Sequence, residues 1–260
     1  MSRKNNQRAN PGLNPVRKEL EAIISKGYNS YRVFEDWVGL MFFAFQRDDP
    51  HYLEIMGRYR NKGPMGQREA EHFAYALGHL MEHMRATHEE ALGPLYEEYA
   101  ANHYTGQYFT PLNVARLMAG ICQTPPSEGT FTVLDPACGA GACLIAAAKE
   151  QTFEQNNRAI FVGQDIDLNC ARMTALNLMF FNLDGLILWG NHLALEVRGA
   201  WRTRRSVAFG GSLAPMDKEE ARAWLGNAAP QTEAAPAPAP ASRVKTDTKT
   251  ARKIEQLTLF

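Results

Sequence analysis

No stretch of this chain is both long and apolar enough to cross a bilayer. The most apolar run, Trp37 to Phe45, falls far short of the roughly 20 residues that a spanning helix needs. A surplus of charge is missing too. Lys and Arg together number 28, as do Asp and Glu, so no overall positive field announces a nucleic-acid partner, and contact with DNA has to rely on local patches. The four cysteines, Cys122, Cys138, Cys143 and Cys170, contain no C-x-x-C pair. That argues against a structural zinc and against a secreted disulfide framework, and a reducing cytoplasm is the expected location. The N-terminus, MSRKNNQRANPG, lacks the apolar stretch of a signal peptide and reads as a basic flexible arm over residues 1–14.

What is present falls into segments of different texture. Over residues 15–104 apolar side chains recur at three- and four-residue spacing, as in Phe34, Trp37, Val38, Met41, Phe42 and Phe45, which predicts a bundle of four or five helices. Asn29 or Ser30 is the expected cap of the second helix, and a long helix from about Gln67 toward His88 is expected to have its continuation to Ala101 interrupted at Gly93-Pro94. Residues 105–226 alternate short β-rich runs (Phe131 to Leu134, Ile160 to Gly163, Leu186 to Leu188) with helical stretches (Cys143 to Glu150, Leu168 to Asn182). This is the grammar of an α/β domain with a parallel sheet. Residues 227–253 contain Ala-Pro repeats and a polar basic stretch that cannot bury a core, so they read as a disordered linker to a terminal peptide, 254–260.

The sharpest signal is Val133-Leu134-Asp135-Pro136-Ala137-Cys138-Gly139-Ala140-Gly141, a strand that ends in an acid and a glycine turn that opens a helix. Gly139 and Gly141 let backbone approach a ligand where a β-carbon would collide, and the helix offers its first amides. Thr105-Gly106-Gln107-Tyr108-Phe109-Thr110-Pro111 precedes this turn, and Phe161-Val162-Gly163-Gln164-Asp165-Ile166-Asp167 follows it. Three such segments in order are far more specific than one. Nicotinamide sites favour G-x-G-x-x-G, whose last glycine would be Leu144 here.

In these residues the chain resembles the N6-adenine DNA methyltransferases, particularly the modification subunits of type I restriction systems, over roughly Thr105 to Leu193. The resemblance implies a helical bundle followed by a truncated Rossmann-like domain that binds S-adenosylmethionine. It implies that Asp165 holds the ribose hydroxyls, that Asp135 faces the ammonium group, and that Thr110 approaches the carboxylate. Ala137, Gly139 and Gly141 would form the backbone cradle, and Asn191 would pair with the adenine edge. DNA and a specificity or complementing methyltransferase subunit are the implied partners. The family's N-P-P-Y or N-P-P-F segment, which receives the flipped adenine, is absent. Ser212-Leu213-Ala214-Pro215-Met216, after an expected strand at Ser206 to Phe209, offers neither a side-chain carbonyl nor an aromatic ring and reads as a surface loop. Catalytic residues are therefore unknown, and catalysis is expected only with a partner. The alternative is a non-enzymatic adaptor or anti-restriction factor.

The terminal Gln256-Leu257-Thr258-Leu259-Phe260 resembles the Q-L-x-L-F peptide that binds the bacterial DNA sliding clamp. Gln256 would supply direction, and Leu257, Leu259 and Phe260 would fill apolar pockets. His79 and His83 have metal-capable spacing, but a polar helix face is the preferred reading and no metal site is expected. Arg198, Arg202, Arg204 and Arg205, with Trp201 among them, suit either a phosphate contact or a solvated helix face.

Overall fold

The computed structural model describes residues 10–100, 109–122, 125–207 and 210–228. The terminal peptide, Thr105 to Tyr108, and the first nine residues of the expected arm lie outside them. The rest of that arm is fixed, because Leu13 is fully buried and the Asn10 side chain accepts a hydrogen bond from Gly12 N–H at the start of a 3-10 turn, Pro11–Leu13.

Five helices come first: α1 (Asn14–Ile24), α2 (Ser30–Gln46), α3 (Asp49–Met56), α4 (Glu69–Thr87) and α5 (Leu92–Ala100). Their ends follow local chemistry. Asn29 accepts from Arg32 N–H to start α2, Arg47 closes it with a left-handed backbone, and Asp48 then caps α3 through His51 N–H. The helical run is interrupted between α4 and α5, close to the expected break at Gly93-Pro94, and α5 begins at Leu92. The pair sits in the first turn, where a missing N–H leaves no intrahelical bond unmade. Phe34, Trp37 and Phe42 form the apolar stripe of α2, and the Trp37 indole N–H is satisfied by the Phe73 carbonyl at 3.2 Å.

After α6 (Leu112–Cys122) the chain forms a mixed sheet with strand order β1-β2-β3-β4-β5. Strands β1 (Phe131–Asp135), β2 (Ala159–Asp165) and β3 (Gly185–Trp189) are parallel, and β4 (Gly199–Arg204) and β5 (Ser212–Pro215) add antiparallel strands beyond β3. Helices α7 (Ala142–Glu150), α8 (Phe153–Asn156) and α9 (Leu168–Phe180) connect the parallel strands, and α10 (Lys218–Ala228) follows β5. Two expectations are corrected here. The strand expected at Ser206 to Phe209 lies earlier, at Gly199–Arg204, and Ser212–Pro215, expected as a loop, is a paired edge strand. The arginines read as a helix face therefore lie on and beside β4. Arg198 pairs with Glu196, Arg202 with Glu220 and Arg205 with Asp184.

Residues up to Ala228 form one compact unit. The segments expected as separate domains on either side of residue 104 share a single core, in which Phe42 packs edge-on against Trp201 with ring centroids 5.1 Å apart, and Phe45 meets Phe180. Arg172 stacks over Phe42 and Phe43, and Asn169 on α9 donates to Glu35 on α2. The helices are thus a wall of the sheet domain. No helix of the described residues is long and apolar enough to cross a membrane.

Candidate functional site

The site grows from the C-terminal ends of β1 and β2. β1 terminates at Asp135, whose Oδ1 accepts from Ala137 N–H at 3.1 Å and so starts the turn. Cys138 N–H continues to the Gln164 carbonyl on β2, and Gly141 N–H returns to the Cys138 carbonyl at 2.7 Å. Gly139 and Gly141 have φ of +54° and +85°, left-handed values that cost a residue with a β-carbon roughly 1–2 kcal/mol. A β-carbon on Gly139 would also stand 3.0 Å from the Phe109 ring.

Asp165, at the end of β2, faces this turn. Its Oδ2 accepts from Gly139 N–H at 2.9 Å and its Oδ1 from Asp167 N–H at 2.9 Å. A carboxylate has about four lone-pair positions, so two remain for a ligand. Burial pushes both Asp135 and Asp165 above the usual carboxylate range. The backbone hydrogen bonds oppose this, and the charge of Asp165 adds to the rise at Asp135. Two half-buried carboxylates whose remaining acceptor positions call for donors are suited to a ligand carrying hydroxyls and positive charge.

Phe109, Thr110, Asp135, Ala137, Gly139 and Asp165 line one cavity of about 180 Å³. A second, of about 580 Å³, shares Thr110, Asp135 and Ala137 and extends along β1 to Met118 and Phe131. Gly141 shapes the turn from behind and is not part of the smaller cavity's lining. Asn191 stands apart from both linings. Its side-chain oxygen accepts from Leu193 and Ala194 N–H, and the neighbouring Gly190 N–H ties this loop to the Asp165 carbonyl. His79 and His83 sit on α4, the first 3.9 Å from Glu82 and the second against Asn10.

Sequence reading missed the residues that hold the turn from beneath. Thr174 Oγ1 on α9 donates to the Gly139 carbonyl at 2.8 Å, and Asn177 Nδ2 donates to the Ala140 carbonyl at 2.8 Å. The same Asn177 amide donates to Glu90, which also accepts from Gly93 N–H at the start of α5. Phe109 presses its ring on Gly139 and packs edge-on against Tyr96. Only Phe109 carried a local signal, as part of the segment before the glycine turn.

Residues 87–199 match the N-6 DNA methylase family. The methylase subunit of the type I restriction enzyme MjaVIII from Methanocaldococcus jannaschii is 27% identical over 157 residues, covering 50% of this chain and 26% of that relative. The methyltransferase subunit of a type I restriction-modification system from Streptococcus thermophilus is 18% identical, with a TM-score of 0.34 over 67% of this chain and 38% of that one. The chain thus spans about a quarter of the length of the curated relative it matches.

Proposed function

We propose that this chain binds S-adenosylmethionine as the cofactor-holding half of a DNA adenine-N6 methylase of the restriction-modification type, acting in the cytoplasm. The observation that carries the reading is the pair of half-buried strand-end carboxylates around a left-handed glycine turn, one bonded to Gly139 N–H, on a cavity also lined by Thr110. These residues fit the cofactor. Its cradle is one that a β-carbon at Gly139 would invade.

In this reading Asp165 accepts from the ribose hydroxyls, Asp135 faces the ammonium group, and Thr110 donates to the carboxylate. The turn at Ala137, Gly139 and Gly141 keeps bulk away from the sulfonium, and Asn191 is assigned to the adenine edge. When bound, the cofactor supplies an electrophilic methyl group. Base recognition is a separate task. No Asn-Pro-Pro segment occurs in residues 1–260, so the acceptor adenine is received by groups from outside these residues, and residues 1–260 alone bind cofactor without methylating DNA.

Calorimetric titration of the whole chain with S-adenosylmethionine tests this. Wild type should give a saturable heat. Asp165→Ala, shown folded by its melting curve, should bind at least about tenfold more weakly, since charge-assisted hydrogen bonds contribute about 1.5–3 kcal/mol each. Absence of heat from wild type would overturn the proposal and favour the second reading, a non-enzymatic adaptor or anti-restriction factor. That reading draws on the terminal Gln256-Leu257-Thr258-Leu259-Phe260, which suits a sliding clamp. Transfer of labelled methyl to DNA by the chain alone would refute the division of labour.

A further inference from the structure

One side chain ties the glycine turn to the helical wall. Asn177 on α9, with no exposure, donates from Nδ2 to the Ala140 carbonyl at 2.8 Å and to Glu90 Oε1 at 2.9 Å. Both amide protons are thereby used, and since both partners accept, the orientation of the amide is fixed. Its other end is left over. Among the described residues Asn177 Oδ1 is buried and receives no hydrogen bond, which is costly for a carbonyl oxygen withdrawn from water.

Glu90 becomes a donor when it takes up a proton. Its carboxyl is buried in the loop between α4 and α5, where it accepts from Gly93 N–H at 2.6 Å and from Leu92 N–H. The charged groups around it do not neutralise it. Glu97 on α5 adds like charge, and the adjacent Glu89 is turned to Arg116 on α6. From α9 and the glycine turn it meets only the uncharged Asn177 amide and, through it, the Ala140 peptide. Ionised, the carboxylate is a pure acceptor and holds Nδ2 where Nδ2 also reaches Ala140. Protonated, it has an O–H to place, and Asn177 Oδ1 is the buried acceptor without a donor. Turning the amide over to meet that proton withdraws Nδ2 from the Ala140 carbonyl, which lies between the two left-handed glycines.

We infer that Glu90 and Asn177 form a proton-operated latch on the cofactor site: with Glu90 ionised, Asn177 holds Ala140 and the turn is in its binding form, and with Glu90 protonated the amide turns over and releases it. The latch rests on the reading of this pocket as the S-adenosylmethionine site. Burial brings the titration of Glu90 to about 7, so the cofactor is held most tightly above that pH and less tightly as pH falls through it. The sulfonium acts in the same direction, because positive charge near the turn favours the ionised carboxyl.

Two measurements on the full chain test this, each comparing wild type with Glu90→Gln, which keeps an acceptor and cannot take up the proton. The first is nuclear magnetic resonance of the free chain. The backbone amide signals of Ala140 and Gly141 and the side-chain amide signals of Asn177 should move with pH about a midpoint near 7 in wild type and stay in place in the variant. The second is calorimetric titration with S-adenosylmethionine at about one pH unit to either side of that midpoint. Between the higher and the lower pH, wild type should weaken about three- to tenfold more than Glu90→Gln, tenfold being the limit when only the ionised form binds. The amino group of the cofactor, Asp135 and Asp165 are common to both proteins, and their titration cancels in this ratio. Turn and Asn177 signals that do not titrate, or that titrate alike in Glu90→Gln, would overturn the latch. Equal weakening of the two proteins would overturn its link to binding even with a titrating turn. No heat from wild type at either pH would instead overturn the cofactor reading and the link to binding with it, while the resonance signals of the free chain still decide whether the turn answers to Glu90.

Discussion

Glu90 joins the helical wall to the glycine turn, and its titration should be visible in the stability of the whole unit. The carboxyl is fully buried, and burial raises its pKa from 4.5 to about 7 despite hydrogen bonds from Gly93 N–H and Asn177. Between these two values the native state keeps a proton that the unfolded chain has released. The resulting stabilisation is complete below pH 4.5 and disappears as pH rises through about 7. At roughly 1.4 kcal/mol per unit this is on the order of 3 kcal/mol, or several degrees of melting temperature for a unit of this size. Glu90→Gln keeps a carbonyl acceptor and removes the titration. Urea unfolding at half-unit steps from pH 4.5 to 8 should show wild type losing stability relative to Glu90→Gln by about that amount, with most of the change complete by pH 7.5. Parallel profiles for the two proteins would show that the carboxyl is ionised throughout and that the hydrogen bonds outweigh burial.

Two further outcomes bear on other parts of the chain. Gly139→Ala should lose about 1–3 kcal/mol in urea unfolding, from the left-handed backbone and the crowding of Phe109, and should weaken S-adenosylmethionine binding in parallel; an unchanged midpoint would contradict the turn geometry. Deleting Leu259 and Phe260 should remove binding of the full chain to purified sliding clamp in a surface-plasmon assay, because each buried side chain contributes about 1.5–3 kcal/mol; equal affinity with and without them would reject the peptide's assignment.

The three parallel strands were legible in sequence because each is a short apolar run closed by an acid, a turn or both, and the structure places them within one or two residues of expectation. β4 was not. Ala200 and Thr203 are buried and Trp201 packs on Phe42, while Arg202 and Arg204 stand between and beyond them, so charge masked the period of two. Gly93-Pro94 marked the boundary between α4 and α5 to within a few residues, because glycine and proline are tolerated in the first turn of a helix and disfavoured inside one.

The site divides along the same line. Asp135, Gly139, Gly141 and Asp165 lie in two local motifs, and the geometry that matters for them is set by residues a few positions away. The groups that hold the turn, Thr174, Asn177 and Glu90, are 35 to 87 residues from those partners in sequence; Thr174 and Asn177 are ordinary residues of α9, and Glu90 lies in the loop between α4 and α5. A motif specifies which atoms a ligand would meet, whereas the stiffness of those atoms depends on tertiary packing that no local spacing encodes. The open side of β1 follows from this distinction as well. A strand that ends in Asp135 reads the same in sequence whether it lies inside a sheet or at its edge, and only its pairing shows that β1, among the described residues, is bonded on one side alone, to β2.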